Sequence, residues 1–216
     1  MKRLLAALIL FLCASSAQAS FVVGYNTIPG STGSFALGAG SAFFGGGPYT
    51  MPQDGALQSV SYWAPGATGG NNFLGVYADN GSNKPNTLLA TSAANTIASG
   101  WNTFAMTTNP KITRGTKIWF AILPVSVSPT FWNDAGKPSN ICWYDTAGSN
   151  TTLPASFSGT NTFSNSTGGL YATFNELPNG MLPLLGFGEG GLFGGNVLLL
   201  DNTSALLTDT GVGILL

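Results

Sequence analysis

From position 56 to position 174 the chain repeats one arrangement: a short apolar run, then a cluster of Gly, Pro, Asn or Ser. No segment between these breaks carries a helical 3.6-residue period, whereas each apolar run has the length of a strand. Residues 56–63 end at Ala64-Pro65-Gly66, and residues 73–78 end at Asp79-Asn80-Gly81, a strong hairpin signal. Further runs cover 88–97, 101–106, 117–123, 141–144 and 170–174. A first strand is predicted over 21–28 and a Gly/Ser-rich loop over 29–48. Thirty Gly and twelve Pro enforce this punctuation, and 44% hydrophobic residues still permit a sizeable core. The predicted fold is all-β: a jelly-roll-like antiparallel β-sandwich with a C-terminal Leu/Gly-rich short-strand tail.

Alternation along each run sorts the faces of the sheets. Ala56, Val60 and Tyr62 share a parity that Gln58 interrupts, with Ser59, Ser61 and Trp63 opposite. Leu74, Val76 and Ala78 share one face, and Asn102, Phe104 and Met106 share another. Ile118, Phe120 and Ile122 oppose Trp119, Ala121 and Leu123. This last strand is apolar on both faces and is therefore predicted to be central in its sheet.

The chain has no His, and only 7% of its residues are charged. Nucleophilic triads and the common zinc ligand sets need an imidazole or several thiols, so neither can be assembled here. The carboxylates between positions 20 and 174 are Asp54, Asp79, Asp134 and Asp145, all predicted at turns, where Asp bonds its own backbone. Asp134 with Asp145 is the pair that would have to serve a glycosidase. No catalytic residue and no metal site is predicted. The one cation considered is calcium, for which Asp79-Asn80 with Ser82-Asn83 could form part of an oxygen set.

The N-terminus reads as a secretory signal peptide, residues 1–19. It has Lys2 and Arg3, an apolar segment over 4–14, and Ala17-Gln18-Ala19 before Ser20. The apolar segment is too short for an ordinary membrane span, so none is expected after cleavage. Removing Lys2 and Arg3 from seven basic residues leaves five against eight acidic ones, a net charge of −3. Nucleic acid is not an expected partner of so few cations. Cleavage also removes Cys13 and leaves Cys142 alone, read as a small buried hydrophobe. The expected location is secreted, extracellular or cell-surface, with the periplasm as a further compartment.

The stretch from Gly24 to about Phe174 carries a run of short motifs. They are Gly24-Tyr25-Asn26-Thr27, Tyr49-Thr50-Met51-Pro52 with Asp54-Gly55, and Leu74-Gly75-Val76-Tyr77-Ala78-Asp79. Lys84-Pro85 then leads into Leu88-Leu89-Ala90, followed by Gly100-Trp101-Asn102-Thr103-Phe104. Ile112-Thr113-Arg114-Gly115-Thr116 with Trp119-Phe120-Ala121 completes the set. In order and spacing this resembles secreted bacterial and phage-borne β-sandwich domains of carbohydrate-binding-module type. The resemblance implies a jelly-roll-like sandwich with a non-catalytic, adhesive or appended role, and it supplies no catalytic residues.

Aromatic side chains are the working groups left. Sugar rings stack on Trp and Tyr while Asn, Asp and Thr bond their hydroxyls. The candidate ligand-binding residues are Trp63, beside Ser59 and Ser61; Trp132, Asn133 and Asp134, read as a loop; and Trp143, Tyr144 and Asp145. Trp119 and Trp101 are read as core.

From position 177 the composition shifts to Leu and Gly. Val197-Leu198-Leu199-Leu200-Asp201 is echoed eight residues later by Ala205-Leu206-Leu207-Thr208-Asp209, and Gly213-Ile214-Leu215-Leu216 begins a third copy. This predicts a β-meander or the rung of a small solenoid. Three tiny strands cannot bury apolar residues on both faces alone. The tail therefore either docks on another copy or protein, through Val197, Leu198, Leu199, Leu200, Leu206, Leu207, Ile214 and Leu215, or folds back on its own sandwich. The predicted organisation is thus signal peptide 1–19, sandwich 20–176 and tail 177–216. The leading expectation is a module binding a glycan or cell-surface polymer. The alternative is a structural subunit of an extracellular filament, surface layer or phage virion, self-associating through the tail.

Overall fold

The computed structural model describes residues 18–30, 33–36, 38–66, 69–126, 130–135, 141–145, 148–164, 166–177, 199–200, 205–207 and 213–215. Of these, 33–36, 130–135, 163–164, 166–167 and all positions beyond 177 are described by their backbone alone. The signal segment, apart from Gln18 and Ala19, lies outside the described residues, as do Val197 and Leu198. The chain divides into two compact units, Met1–Leu177 and Pro178–Leu216.

The first unit is an all-β antiparallel sandwich, with no helix among the described residues. One sheet holds β1 (Ser20–Gly24), β16 (Leu170–Glu176) and β5 (Gly55–Ala64) in that order, with β9 (Gly100–Ala105) and β10 (Lys111–Ile112) both on the far side of β5. The second sheet runs β14 (Asn161–Ser164), β13 (Ile141–Tyr144), β3 (Phe43–Gly47), β11 (Lys117–Pro124), β6 (Gly69–Asp79), β7 (Pro85–Thr91). Within it β4 (Tyr49–Thr50) pairs with β11, and β8 (Asn95–Ile97) with β6. A small third sheet orders β15 (Ser166–Gly168), β12 (Thr130–Ala135) and β2 (Gly33–Ala36). The chain passes from one large sheet to the other between β4 and β5, β5 and β6, β8 and β9, and β10 and β11, as in a jelly roll.

The main core lies between the two large sheets. Leu57, Val60, Tyr62, Phe104, Leu170, Ala172 and Phe174 from one meet Phe43, Leu74, Val76, Ile118, Phe120 and Ile122 from the other. A second core covers the outer face of the larger sheet. There Phe44, Tyr77, Trp119, Ala121 and Leu123 are capped by Leu153 and Phe157 from the segment that follows β13. Strand β11 is buried at seven consecutive positions and sits between β3 and β6, so the expected central strand is found.

Three expectations are corrected. The predicted loop over 29–48 contains β3, which pairs with both β11 and β13. Its Phe-Phe-Gly-Gly-Gly sequence lacks strand propensity, but large neighbours demand the glycines. A Cβ at Gly45 would come within 2.7 Å of Leu170, and one at Gly47 within 2.8 Å of the Trp119 ring. The run over 88–97 is split into β7 and β8. On β5 the core residue is Leu57 rather than Ala56, because the pairing with β16 slips by one residue between Leu57 and Ser59. Gln58 is the extra residue of a β-bulge, and the parity it breaks is restored by Val60.

The Asp79-Asn80-Gly81 signal closes the β6–β7 hairpin. Asp79 Oδ1 accepts from the Gly81 amide at 2.7 Å, Asn80 Oδ1 from the Ser82 amide at 2.8 Å, and Asn83 takes the left-handed conformation. The second unit contains a three-stranded antiparallel meander of β17 (Leu199–Leu200), β18 (Ala205–Leu207) and β19 (Gly213–Leu215). Leu199 is paired with Leu207, Leu200 with Leu206, and Leu206 in turn with Ile214.

Two outcomes follow for stability. Phe120→Ala empties the centre of the main core and should lower the unfolding free energy by ~3–5 kcal/mol, read from denaturant midpoints. Burial also raises the Tyr62 phenol far above the usual tyrosine range, and Tyr77 is raised by burial first and by the Asp145 charge second. The unfolded chain releases these protons near pH 10, about where free tyrosine ionises, while the folded chain retains them. Stability is therefore complete below about pH 10 and declines as pH rises beyond it. Tyr62→Phe should flatten that alkaline decline in urea titrations run across the range.

Candidate functional site: an aromatic corner on the outer face of the five-stranded sheet

The outer face of the five-stranded sheet is built by alternation. Opposite the core residues of β5, β9 and β16 stand Ser59, Ser61 and Trp63, then Trp101, Thr103 and Ala105, then Tyr171, Thr173 and Asn175. Register brings them into rows. Trp63 is the Cα partner of Trp101, Ser61 of both Thr103 and Tyr171, and Ser59 of both Ala105 and Thr173. Such directly opposed side chains have Cβ atoms ~5 Å apart.

Trp101 and Tyr171 meet edge to face, their ring centroids 5.0 Å apart and their planes at 66°. They approach each other from β9 and β16 diagonally across the intervening β5, Trp101 in the row of Trp63 and Tyr171 in the row of the small Ser61. Beneath the rings Ser61 is only 1% exposed, and its hydroxyl bonds that of Thr103 at 2.8 Å. Trp101 itself is 36% exposed and Thr103 is open to solvent, while Trp63, Tyr171, Ser59, Thr173 and Asn175 are half-buried. Val22, 47% exposed, faces the same way from β1, where it pairs with Thr173. Gly169 keeps Trp63 in place: its carbonyl accepts from the Trp63 amide at 2.9 Å, and a Cβ there would lie 2.8 Å from the Trp63 Cβ.

Among the described side chains, the expected site residues Trp63, Trp143, Tyr144 and Asp145 do not converge. Trp63 lies on this face. Trp132, Asn133 and Asp134 belong to strand β12 rather than to a loop, paired with β2 and β15, and their side chains lie outside what is described. Trp143 and Tyr144 alternate on β13, so Trp143 packs with the outer core and Tyr144 with the main core. The Trp143 indole donates to the Asn83 carbonyl at 3.1 Å, and the Lys84 ammonium lies 5.2 Å from its ring centroid. Asp145 acts as a clamp: Oδ1 accepts from the Ala42 amide at 2.9 Å and Oδ2 from the Asn150 amide group at 3.1 Å. These contacts tie the segment carrying Leu153 and Phe157 to the sheet it covers.

Trp119 is fully buried as expected, but Trp101 is not core. The signal that finds it is parity. Asn102, Phe104 and Met106 point inward, so Trp101 must point outward. Tyr171 follows from the same alternation on β16, opposite Leu170, Ala172 and Phe174.

The oxygens considered for calcium are engaged by protein donors. Asp79 Oδ2 accepts from the Trp119 indole at 2.7 Å, and Asn83 Oδ1 from the Lys117 ammonium at 3.0 Å. The described residues contain no cluster of three or more carboxylate or thiol ligands.

Neither a family model nor a curated protein matches the sequence. Among solved structures the chain is similar to a clostridial cysteine protease, Cwp84, after propeptide cleavage, at 10% identity and a TM-score of 0.47. The match covers 73% of this chain and 40% of that one.

The assignment of indoles is checked by quenching with a neutral solute. Trp101→Phe should lower the quenchable fraction of the tryptophan emission, whereas Trp119→Phe, which removes a protected emitter, should raise it.

Proposed function

We propose that the chain is a secreted, non-enzymatic β-sandwich module that binds a glycan or surface polymer through exposed aromatic, hydroxyl and amide side chains. The observation that carries this reading is the aromatic group of Trp63, Trp101 and Tyr171, with Trp101 exposed, bordered by Thr103, Ser59 and Thr173. Aromatic faces supply the apolar contact a sugar ring needs, and the flanking hydroxyls supply its hydrogen-bond partners. The resemblance to carbohydrate-binding-module sandwiches points the same way, and the signal-like segment 1–19 supports export. The absence of His and the structural use of Asp79 and Asp145 favour binding over catalysis. The test is affinity electrophoresis and calorimetry on a panel of polysaccharides. Trp101→Ala and Trp63→Ala should each weaken binding at least about tenfold, equivalent to ~1.4 kcal/mol. Wild-type affinity in both variants would remove this face as the site.

A second reading, a subunit of an extracellular or virion assembly, is supported by the tail meander. Its three strands number only two, three and three residues, too few to form an independently stable sheet. Deleting residues 178–216 should convert an assembled species to monomer in light scattering. An unchanged mass would sink this second reading.

A further inference from the structure

We infer that the ligand of the outer face is a single glycan chain lying along β5 and β16, whose ring at the aromatic corner is uncharged and is seated against the open side of the Trp101–Tyr171 pair. This rests on the glycan reading above and narrows its ligand class.

The first argument is charge. The outward positions of the four long strands are Ser20, Val22, Tyr171, Thr173, Asn175, Ser59, Ser61, Trp63, Trp101, Thr103 and Ala105, and none is ionised at neutral pH. The cation on this sheet is Lys111, on β10, which registers with Ala56. Seven residues of β5 separate that row from Trp63, about 20 Å along the strand. That distance exceeds the Debye length of ~8 Å at physiological salt, so Lys111 cannot neutralise an anion held at the corner. A uronate, sulfate or phosphate would lose its hydration there and gain no counter-charge.

The second argument is shape. Two rings at 66° cannot both lie flat against one plane, so the pair does not fit the surface of a crystalline polymer. The two rings are already in contact, so a single sugar ring seats against the open side of the pair, where Trp101 is the more exposed member. Beneath them Ser61 is closed off, its hydroxyl already bonded to Thr103.

The third argument is direction. The aromatics gather at the Trp63 end of β5, and from there the rows continue through Ser59 and Thr173, short of the Asn175–Ala56 row that Lys111 shares. These residues provide hydroxyl groups with no further ring. One sugar stacked in the corner and its neighbours hydrogen-bonded along this trail therefore place the chain parallel to the strands. The loss on mutation should grade accordingly, large at the corner and small along the trail.

The experiment uses the full chain and three classes of probe. These are soluble neutral polymers (mixed-linkage β-glucan, glucomannan, xylan, dextran), soluble anionic polymers (alginate, hyaluronan), and crystalline polymers (microcrystalline cellulose, chitin). At least one neutral soluble polymer should retard the protein, with an affinity that changes less than about twofold between low and high salt. Trp101→Ala and Tyr171→Ala should each cost at least about tenfold and Thr173→Val a few-fold, while Lys111→Ala leaves binding unchanged. Near-UV circular dichroism checks that each variant is folded, and the salt series on the wild-type protein tests the charge argument without any variant. Retardation by alginate or hyaluronan that fades with salt, or binding confined to the crystalline polymers, would overturn this inference and leave the glycan reading standing. Failure to bind any probe would overturn both.

Discussion

Strand β11 needs cover on both faces, and the rest of the sandwich is arranged to give it. Ile118, Phe120 and Ile122 point into the main core, while Trp119, Ala121 and Leu123 point the other way, all essentially inaccessible. Each such large side chain is worth roughly 1.5–3 kcal/mol when fully buried, so leaving either face open would forfeit several of them. The five-stranded sheet covers the first face. The segment carrying Leu153 and Phe157 covers the second, held by Asp145 and Asn150 and by the Tyr77 hydroxyl, which donates to the Pro154 carbonyl at 2.7 Å. This division of labour decides where a ligand can go. The outer side of the larger sheet is occupied by the protein itself, and Trp143, Lys84 and Phe157 close over one another there. The outer side of the five-stranded sheet carries no such covering among the described residues, and its aromatics remain in reach of solvent.

The same demand explains the glycines beside β11. Gly47 lies against the Trp119 ring, and Gly75, between Leu74 and Val76 on β6, would place a Cβ 2.4 Å from Leu153. A full-sized residue at either place would push the covering side chain off the sheet. Small residues here record how closely the layers approach, and β3 is a strand because of where it lies rather than what it prefers. On the open sheet the logic is inverted. Ser61 is small so that rings from β9 and β16 can reach toward each other across β5. One sandwich thus uses small residues inside to admit packing and outside to admit an aromatic corner.

Much of the fold was legible because alternation and turn chemistry are local. The two-faced burial of β11, the Asp79-Asn80-Gly81 hairpin and the inward set Asn102, Phe104 and Met106 were all readable from spacing alone. What escaped was decided by contacts distant in sequence. Nothing in Phe43–Gly47 announces that Trp119 and Leu170 will press on it. Gln58 announced itself only as a broken parity, whose meaning as a bulge depends on β16. The site was half-legible for a different reason. Residue type and parity conflicted at Trp101, and a large apolar indole was assigned to the core although its neighbours Asn102 and Phe104 fixed it outward. Parity is the stronger argument, since the pleat admits no exceptions between bulges, whereas the surface of any protein retains apolar side chains. Trp143 shows the converse. It stood beside Tyr144 and Asp145 in sequence but is held by Asn83, Lys84 and Phe157, none of them near it in the chain.

A corner without charge limits what a ligand bound there, as proposed, could gain. Stacking and neutral hydrogen bonds each contribute only ~1 kcal/mol net, because water competes for the same groups. Long-range attraction is absent too, so encounter is not accelerated by steering. One corner with a short polar trail therefore supports modest affinity on its own. Repetition is the physical remedy, since linked copies convert later binding events into intramolecular ones and gain avidity without new contacts. On the proposed assembly reading, the Leu-rich meander beyond residue 178 would supply the copies. The two proposed readings are then complementary: a neutral corner of modest affinity would be most useful when presented many times on one polymer.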